Sequence, residues 1–238
     1  MFYDRDPKWT MLSDKWRVRD YAAKKVGDDC LVPLLWHGDE PEEIPFAELP
    51  LKFVIKATHG CHYNIIVKDK TQLDQTKAKQ QLKKWLGENY CQDKFFGTEW
   101  GYRNIKPTIV VESFLDDNGS VPVDYKFRCF SGRVEFLTVQ FDRPGDNPLI
   151  LVCDRNCKPM DMVLGMKYDG KFDRPANFEE MIRVAEILAE EFDFIRVDLY
   201  NLKNKIFFGE LTPYPSAGGI RFIPRRYDFL YGGKWKMK

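Results

Sequence analysis

Apolar and polar positions alternate most cleanly in two neighbouring stretches, residues 194–200 and 205–211, with the polar run 201–204 between them. β-Branched and aromatic residues dominate both, and such runs joined by turn residues read as a hairpin. Side chains of a strand point alternately to opposite faces. Arg196, Asp198 and Tyr200 therefore share one face, and Ile195, Val197 and Leu199 share the other, which belongs to a core. The same rule groups Ile206, Phe208, Glu210 and Thr212 on the second strand. A loop with an odd residue count brings Arg196, Asp198 and Glu210 onto one face.

The same patterning divides the rest of the chain. Strands are expected over residues 52–56, 65–68, 108–115, 123–130 and 133–141, with a shorter one near 149–153. In residues 123–130, Asp124, Lys126 and Arg128 face one way and Val123, Tyr125, Phe127 and Cys129 the other, as in an ordinary half-solvated sheet. Helical spacing marks three segments. The first starts at a cap on Ser13 or Asp14, carries Val18, Tyr21, Ala22 and Val26, and stops at Gly27. The second covers 71–90, with Asp74 capping its main part and Ala78, Leu82, Trp85, Leu86 and Tyr90 on one face. The third runs from a cap at Asn177 to Phe192, with Phe178, Met181, Ile182, Ala185 and Leu188 buried. Residues 1–12 read as a surface arm, 37–50 as an acidic, proline-rich connector, and 227–238 as an aromatic and basic tail. Residues 91–106 form a glycine- and aromatic-bearing loop long enough to be functional. Residues 142–175 are largely irregular. The fold class is α+β.

Asp198 and Glu210 are the anomaly in this pattern. Acidic residues are depleted in strands, and like charges close together on one face repel. Two carboxylates on a rigid sheet beside Arg196 suit a divalent cation and a phosphate, and hard oxygen ligands of this kind fit Mg2+. The other reading is a solvated strand face with one Arg–Asp pair. Upstream, the strand ending at Lys56, a loop containing Gly60, and a second strand form a candidate phosphate lid. It matches neither a Walker loop nor a dinucleotide fingerprint. His59 and His62 lie three apart with no third ligand evident, which favours backbone or substrate contacts over metal. Lys15, in a first helical turn, gains nothing from the helix dipole and reads on pattern as a solvated lysine. The glycine-bearing loop 214–224 offers backbone N–H groups to an anion.

Composition narrows the classes. The 238 residues are 44% hydrophobic and 15% aromatic, ample for a packed core. Lys and Arg number 37 against 36 Asp and Glu, so the basic footprint of a nucleic-acid binder is missing. No apolar run reaches the ~20 residues that span a bilayer, and the start has no secretory h-region. The six cysteines are scattered. Cys153 and Cys157 make a lone C-x3-C, read as structural with zinc as the alternative. A reduced, cytoplasmic enzyme is the expectation.

The order of the motifs is more specific than any one of them. DKWRVRDYAAKKVGDDCLVPLL, NIIVKDK, DYKFRCFSG and RVDLYNLKNKIFFGELT, in this order, resemble the TupA-like (teichuronopeptide-synthesis) ATP-grasp proteins of polysaccharide biosynthesis. The likeness runs from about Ser13 to the end of the chain. It implies an ATP-grasp fold of two subdomains whose antiparallel sheets sandwich ATP. Residues 1–49 would be an N-terminal helix and connector, about 50–115 a small lid subdomain, and about 116–238 a larger metal- and substrate-binding subdomain.

The resemblance also implies roles. Lys15 and Lys56 would hold the ATP phosphates, and the loop with His59, Gly60 and Asn64 would close over them. Glu112 would receive the adenine amino group, with the backbone of Ser113 and Leu115 along the hinge. Asp124 would bind the ribose. From the strand alternation rather than the resemblance, Lys126 and Arg128 share its face and are candidates to contact phosphate or an acidic substrate. Asp198, Glu210 and Thr212 would hold Mg2+, while Arg196 and Lys56 would act in catalysis. The implied reaction joins a carboxylate to an amine through an acyl phosphate, with an amino acid and a uronic acid or related sugar as partners. Thr212 departs from the family pattern, which has Asn two residues after the metal Glu. The lid is short of glycine, which makes His62 and Tyr63 candidate substrate contacts. Competing readings are a sugar kinase on the same ATP cradle, a nucleotide-binding module without catalysis, and a carbohydrate-binding sheet.

Overall fold

The computed structural model describes residues 5–92, 99–141 and 148–236. The chain divides into two compact units, Met1–Tyr21 with Val32–Gly119, and Ala22–Leu31 with Ser120–Lys238.

In the first unit, helix α1 (Lys8–Ser13) stands where the sequence suggested a surface arm. Its Trp9 and Leu12 are buried one turn apart, too few apolar positions to register as a periodic stripe. Helix α2 (Arg17–Val26) follows and passes from the first unit into the second. Asp14 caps it by accepting from the backbone N–H groups of Trp16 at 2.9 Å and Arg17 at 3.4 Å. Lys15 thus precedes the helix rather than lying in its first turn.

Four antiparallel strands form the sheet of this unit. They are β1 (Leu34–Gly38), β2 (Phe53–Ala57), β3 (Asn64–Val67) and β4 (Ile109–Ser113), in the order β1-β4-β2-β3. The sequence missed β1 and gave its last residues to the connector. The connector itself is partly core: Ile44, Phe46 and Leu49 pack with Phe53, Ile55, Ile109 and Val111. Helix α3 (Gln75–Leu86) adds Leu82 to this cluster. Asp74 caps it, accepting from the Lys77 N–H at 3.0 Å. The helix is shorter than its apolar stripe suggested, because Lys70–Gln72 and Tyr90–Gln92 are separate 3-10 turns.

The second unit has a six-stranded sheet of β5 (Asp124–Phe130), β6 (Arg133–Phe141), β7 (Leu149–Asp154), β8 (Met166–Lys167), β9 (Phe194–Leu202) and β10 (Lys205–Thr212). The order is β10-β9-β5-β6-β7-β8, and all pairs except β7–β8 are antiparallel. Helix α4 (Phe178–Ala189) lies against β5, β6 and β9. Phe127 and Phe178 meet there, ring centres 6.2 Å apart. The helix stops three residues short of Phe192, and Asn177 does not cap it. The Asn177 amide donates instead to the Asn204 carbonyl at 2.9 Å, tying the helix start to the β9–β10 turn. Helix α5 (Arg226–Gly232) occupies the predicted tail. Its Tyr227 and Tyr231 bury against Phe130, Phe136, Val152 and Met162.

Two sheet features differ from simple alternation. Every residue of β5 is buried, so its charged face is not the solvated one expected. The β9–β10 hairpin turns through Lys203 and Asn204, both at positive φ, a two-residue loop that matches the strand twist. Such an even loop would set Glu210 opposite Val197 on the apolar face. A bulge at Gly209 supplies the extra residue, and Glu210 comes opposite Asp198. Glu210 and Thr212 thus share a face with Phe207, while Ile206 and Phe208 lie on the other.

Candidate active site

The charged face of the second unit is a grid set by strand register. One row across β10, β9, β5 and β6 reads Glu210, Asp198, Lys126 and Thr138. The next row reads Thr212, Arg196, Arg128 and Phe136, and the row on the other side contains Tyr200, Asp124 and Gln140. Neighbours within a row are Cα partners, close enough for side chains to pair.

The pairing is dense. Arg196 grips Asp198 with a two-pronged fork, Nε to Oδ1 and Nη2 to Oδ2, each 2.7 Å. Its Nη2 also donates to Glu210 Oε1. Lys126 Nζ donates to Asp198 Oδ2 and lies 2.7 Å from Asp124 Oδ2. Thr212 Oγ1 donates to Glu210 Oε1 at 3.0 Å. Burial works against the Lys126 ammonium, but Asp124 and Asp198 outweigh it and hold its pKa above the ordinary lysine value. Arg196 behaves alike: burial opposes its charge, and Asp198 and Glu210 raise it. The Asp198 side chain is 3% exposed and that of Glu210 is 40% exposed, so the pair opens toward solvent on the β10 side. Among the described residues buried Asp124 Oδ1 has no hydrogen-bond partner, so it is available to a donor such as a hydroxyl.

In the first unit the candidates gather around β2 and β4. Glu112, buried on β4, accepts from Lys56 Nζ at 2.6 Å and from Arg19 Nη1. Arg19 Nη2 also donates to the Val32 carbonyl at 2.9 Å. Lys56 and Asn64 are partners across β2 and β3, with Asn64 exposed. Lys15 Nζ donates to the Gly60 carbonyl, bringing that lysine to the loop after β2. A side chain at Gly60 would press on the Tyr63 ring at 2.8 Å, so the loop is packed tightly there. His59 is turned inward, its Nε2 bonded to the Trp85 carbonyl at 2.8 Å. Burial lowers its pKa below the ordinary histidine value. Tyr63 stacks on Trp85 and donates to Glu88 at 2.7 Å, leaving His62 exposed at φ 61°. The Ser113 N–H donates to the Pro33 carbonyl at 2.9 Å, and Leu115 is half-buried.

Sequence reasoning missed three participants. Arg19 shares Glu112 with Lys56, but the two lie 93 positions apart and no local pattern links them. Thr138 binds Arg128 from β6. Gly209 re-aims Glu210, and an isolated glycine in a strand pattern is the signal that could have found it. Residues 93–98 of the predicted functional loop, and residues 1–4, 142–147 and 237–238, lie outside the described residues. Among the described residues no three His, Cys, Asp or Glu side chains form a metal cluster. Two carboxylates and a hydroxyl still fit Mg2+, which is commonly held by one or two carboxylates with substrate phosphates completing its shell. Cys153 and Cys157 are free and buried, and among the described residues no third ligand joins them to make a zinc site. No helix of the described residues is long and apolar enough to cross a membrane.

The fold is that of ATP-grasp proteins. D-alanine–D-alanine ligase from Bacillus anthracis superposes with a TM-score of 0.53 at 14% identity, covering 94% of this chain and 64% of that one. The same enzyme complexed with ATP gives 0.51 at 12%, covering 85% and 55%. An ADP complex of N5-carboxyaminoimidazole ribonucleotide synthetase gives 0.52 at 11%, covering 86% and 45%. The chain therefore spans about half to two thirds of the length of these solved structures. No curated protein matches it significantly. The family model described as TupA-like ATP-grasp matches residues 1–236, so the chain belongs to the TupA-like ATP-grasp family.

Proposed function

We propose that the protein is an ATP-dependent carboxylate–amine ligase. The observation that carries this is the Arg196–Asp198–Glu210 constellation, placed on one sheet face by the Gly209 bulge in a chain of this family. The ligases and synthetase of the same fold support it, as does the ATP in one of those structures and the ADP in another. Lys15 and Lys56 bind phosphate oxygens, with Gly60 and Asn64 in the loop that covers them. Glu112, with the backbone of Ser113 and Leu115, receives the adenine. The free Oδ1 of Asp124 accepts from a ribose hydroxyl, and Lys126 neutralises phosphate beside it.

Asp198, Glu210 and Thr212 hold Mg2+. When bound, the ion offsets repulsion between the anionic γ-phosphoryl group and the anionic acid. A carboxylate oxygen of the substrate takes the γ-phosphoryl group and ADP leaves. The amine then attacks the acyl carbon, the C–O bond to phosphate breaks, and phosphate and a proton are released. Arg196, fixed by its fork on Asp198, faces the developing oxyanion, a preorganised cation of the kind that contributes most to such steps.

The acid we propose is a uronic acid or related sugar of a capsule, cell wall or exopolysaccharide, or its precursor, and the amine an amino acid. Family membership supports this choice. The six free cysteines support a reducing, cytoplasmic setting. The test is ADP release with Mg–ATP across a matrix of uronic acids and amino acids, with products read by mass spectrometry. An amide formed with stoichiometric ADP is expected. A stable phosphosugar without amide would make the protein a kinase, and no ADP release with any acceptor would make it a binding module.

A further inference from the structure

Arg128 is the cation that the reading above leaves unused. It lies beside Arg196 as a Cα partner across β5 and β9, so two guanidinium-bearing residues stand side by side on the charged face. Arg128 is 6% exposed. Its Nη1 donates to the Lys126 carbonyl at 3.0 Å and to Thr138 Oγ1 at 2.6 Å, both neutral acceptors. Its guanidinium also lies over the Phe136 ring at 5.4 Å. Among the described residues no carboxylate comes within ion-pair distance of it. The nearby acids are engaged elsewhere: Asp124 and Asp198 with Lys126, and Asp198 and Glu210 with Arg196.

Buried arginines are as a rule paired with an anion, because desolvating an unpaired charge is costly. A second guanidinium next door raises that cost. Burial first, and Arg196 second, both push the Arg128 pKa down. Nε and Nη2 make no hydrogen bond among the described residues, and neither is sealed from solvent. The free edge of the fork is thus the part that a ligand can reach. Carboxylate and phosphoryl oxygens are the groups whose geometry matches it.

We propose that Arg128 is the anchor of an oxyanion subsite, completed by a ligand that brings a carboxylate or a phosphoryl group to the free edge of its guanidinium. Along β5 the order is Asp124, Lys126, Arg128, so the subsite lies one step beyond Lys126, level with Arg196 and Thr212. The existence of the subsite stands on geometry alone. Assigning its occupant as the acid substrate or the terminal phosphoryl group rests on the ligase reading.

The experiment measures thermal stabilisation of the full chain by inorganic phosphate and by acetate, with and without Mg–ADP. Wild type, Arg128→Met and Arg128→Lys are compared. The expected result is that at least one anion raises the wild-type melting temperature in a saturable way. Arg128→Met should lose this response and Arg128→Lys keep a weakened one. A response to phosphate alone assigns the terminal phosphoryl group, and a response to acetate assigns the acid. No anion response in wild type, or an equal response in Arg128→Met, would overturn the proposal. So would a lowered ligand-free melting temperature in Arg128→Met with the response retained, which marks a purely structural arginine. Failure of Mg–ADP to bind wild type would sink the ligase reading while the nucleotide-free arm still decides the subsite.

Discussion

Glu210 faces Asp198 because Gly209 is an extra residue in β10. The two-residue turn at Lys203 and Asn204 sets one register at the tip of the hairpin, and the bulge changes it before the acids are reached. A Cβ on Gly209 would sit 3.0 Å from the Asp198 carbonyl oxygen and 3.2 Å from the Tyr200 ring. Gly209→Ala is therefore expected to destabilise the fold by about 1–3 kcal/mol, as overpacking does. It should also weaken Mg2+-dependent nucleotide binding by misplacing Glu210. Urea unfolding and calorimetry check the two effects, and a wild-type result in both would show that the bulge tolerates a side chain.

Asp198 and Glu210 should separate in stability while agreeing in activity. Glu210 is 40% exposed in its side chain, so Glu210→Gln should change stability by less than about 1 kcal/mol. Asp198 is buried between Arg196 and Lys126, and Asp198→Asn leaves both cations short of a counter-charge. A cost of about 3–5 kcal/mol is expected. Both variants should lose turnover by at least about 10²–10³-fold. Wild-type-like ADP release in folded Glu210→Gln would sink the metal assignment.

His59 links pH to stability. Burial lowers its pKa in the folded state, so folding favours the neutral ring. That contribution is present above the ordinary histidine pKa of about 6.5 and is lost as pH falls through the depressed value. Wild type should lose more unfolding free energy between pH 7.5 and pH 5 than His59→Gln does. Parallel pH profiles for the two proteins would show that His59 titrates alike in both states.

The hairpin of β9 and β10 was legible because β-branched and aromatic runs flank a polar turn. The face of Glu210 was not, since strict alternation has no place for a bulge. On β5, alternation correctly separated Asp124, Lys126 and Arg128 from the apolar side chains. It could not tell that the charged face is buried, because a solvated row and a buried, mutually paired row share one pattern. Helices α1 and α5 escaped notice for want of length: their buried residues are Trp9, Thr10 and Leu12 in one, Tyr227 and Tyr231 in the other. Arg19 was invisible for another reason, its partner Glu112 being distant in sequence and near only in the folded unit.

Nucleotide binding is the step on which the ligase reading depends, and Lys56 tests it most directly. Its ammonium stands beside Glu112, which keeps Arg19 as a partner when the lysine is removed. Mg–ATP titrated by calorimetry into wild type should bind saturably. Lys56→Ala should bind about 10–100-fold more weakly, the worth of one charge-assisted hydrogen bond. No binding to wild type, or equal affinity in the two proteins, would contradict an ATP site built on Lys56.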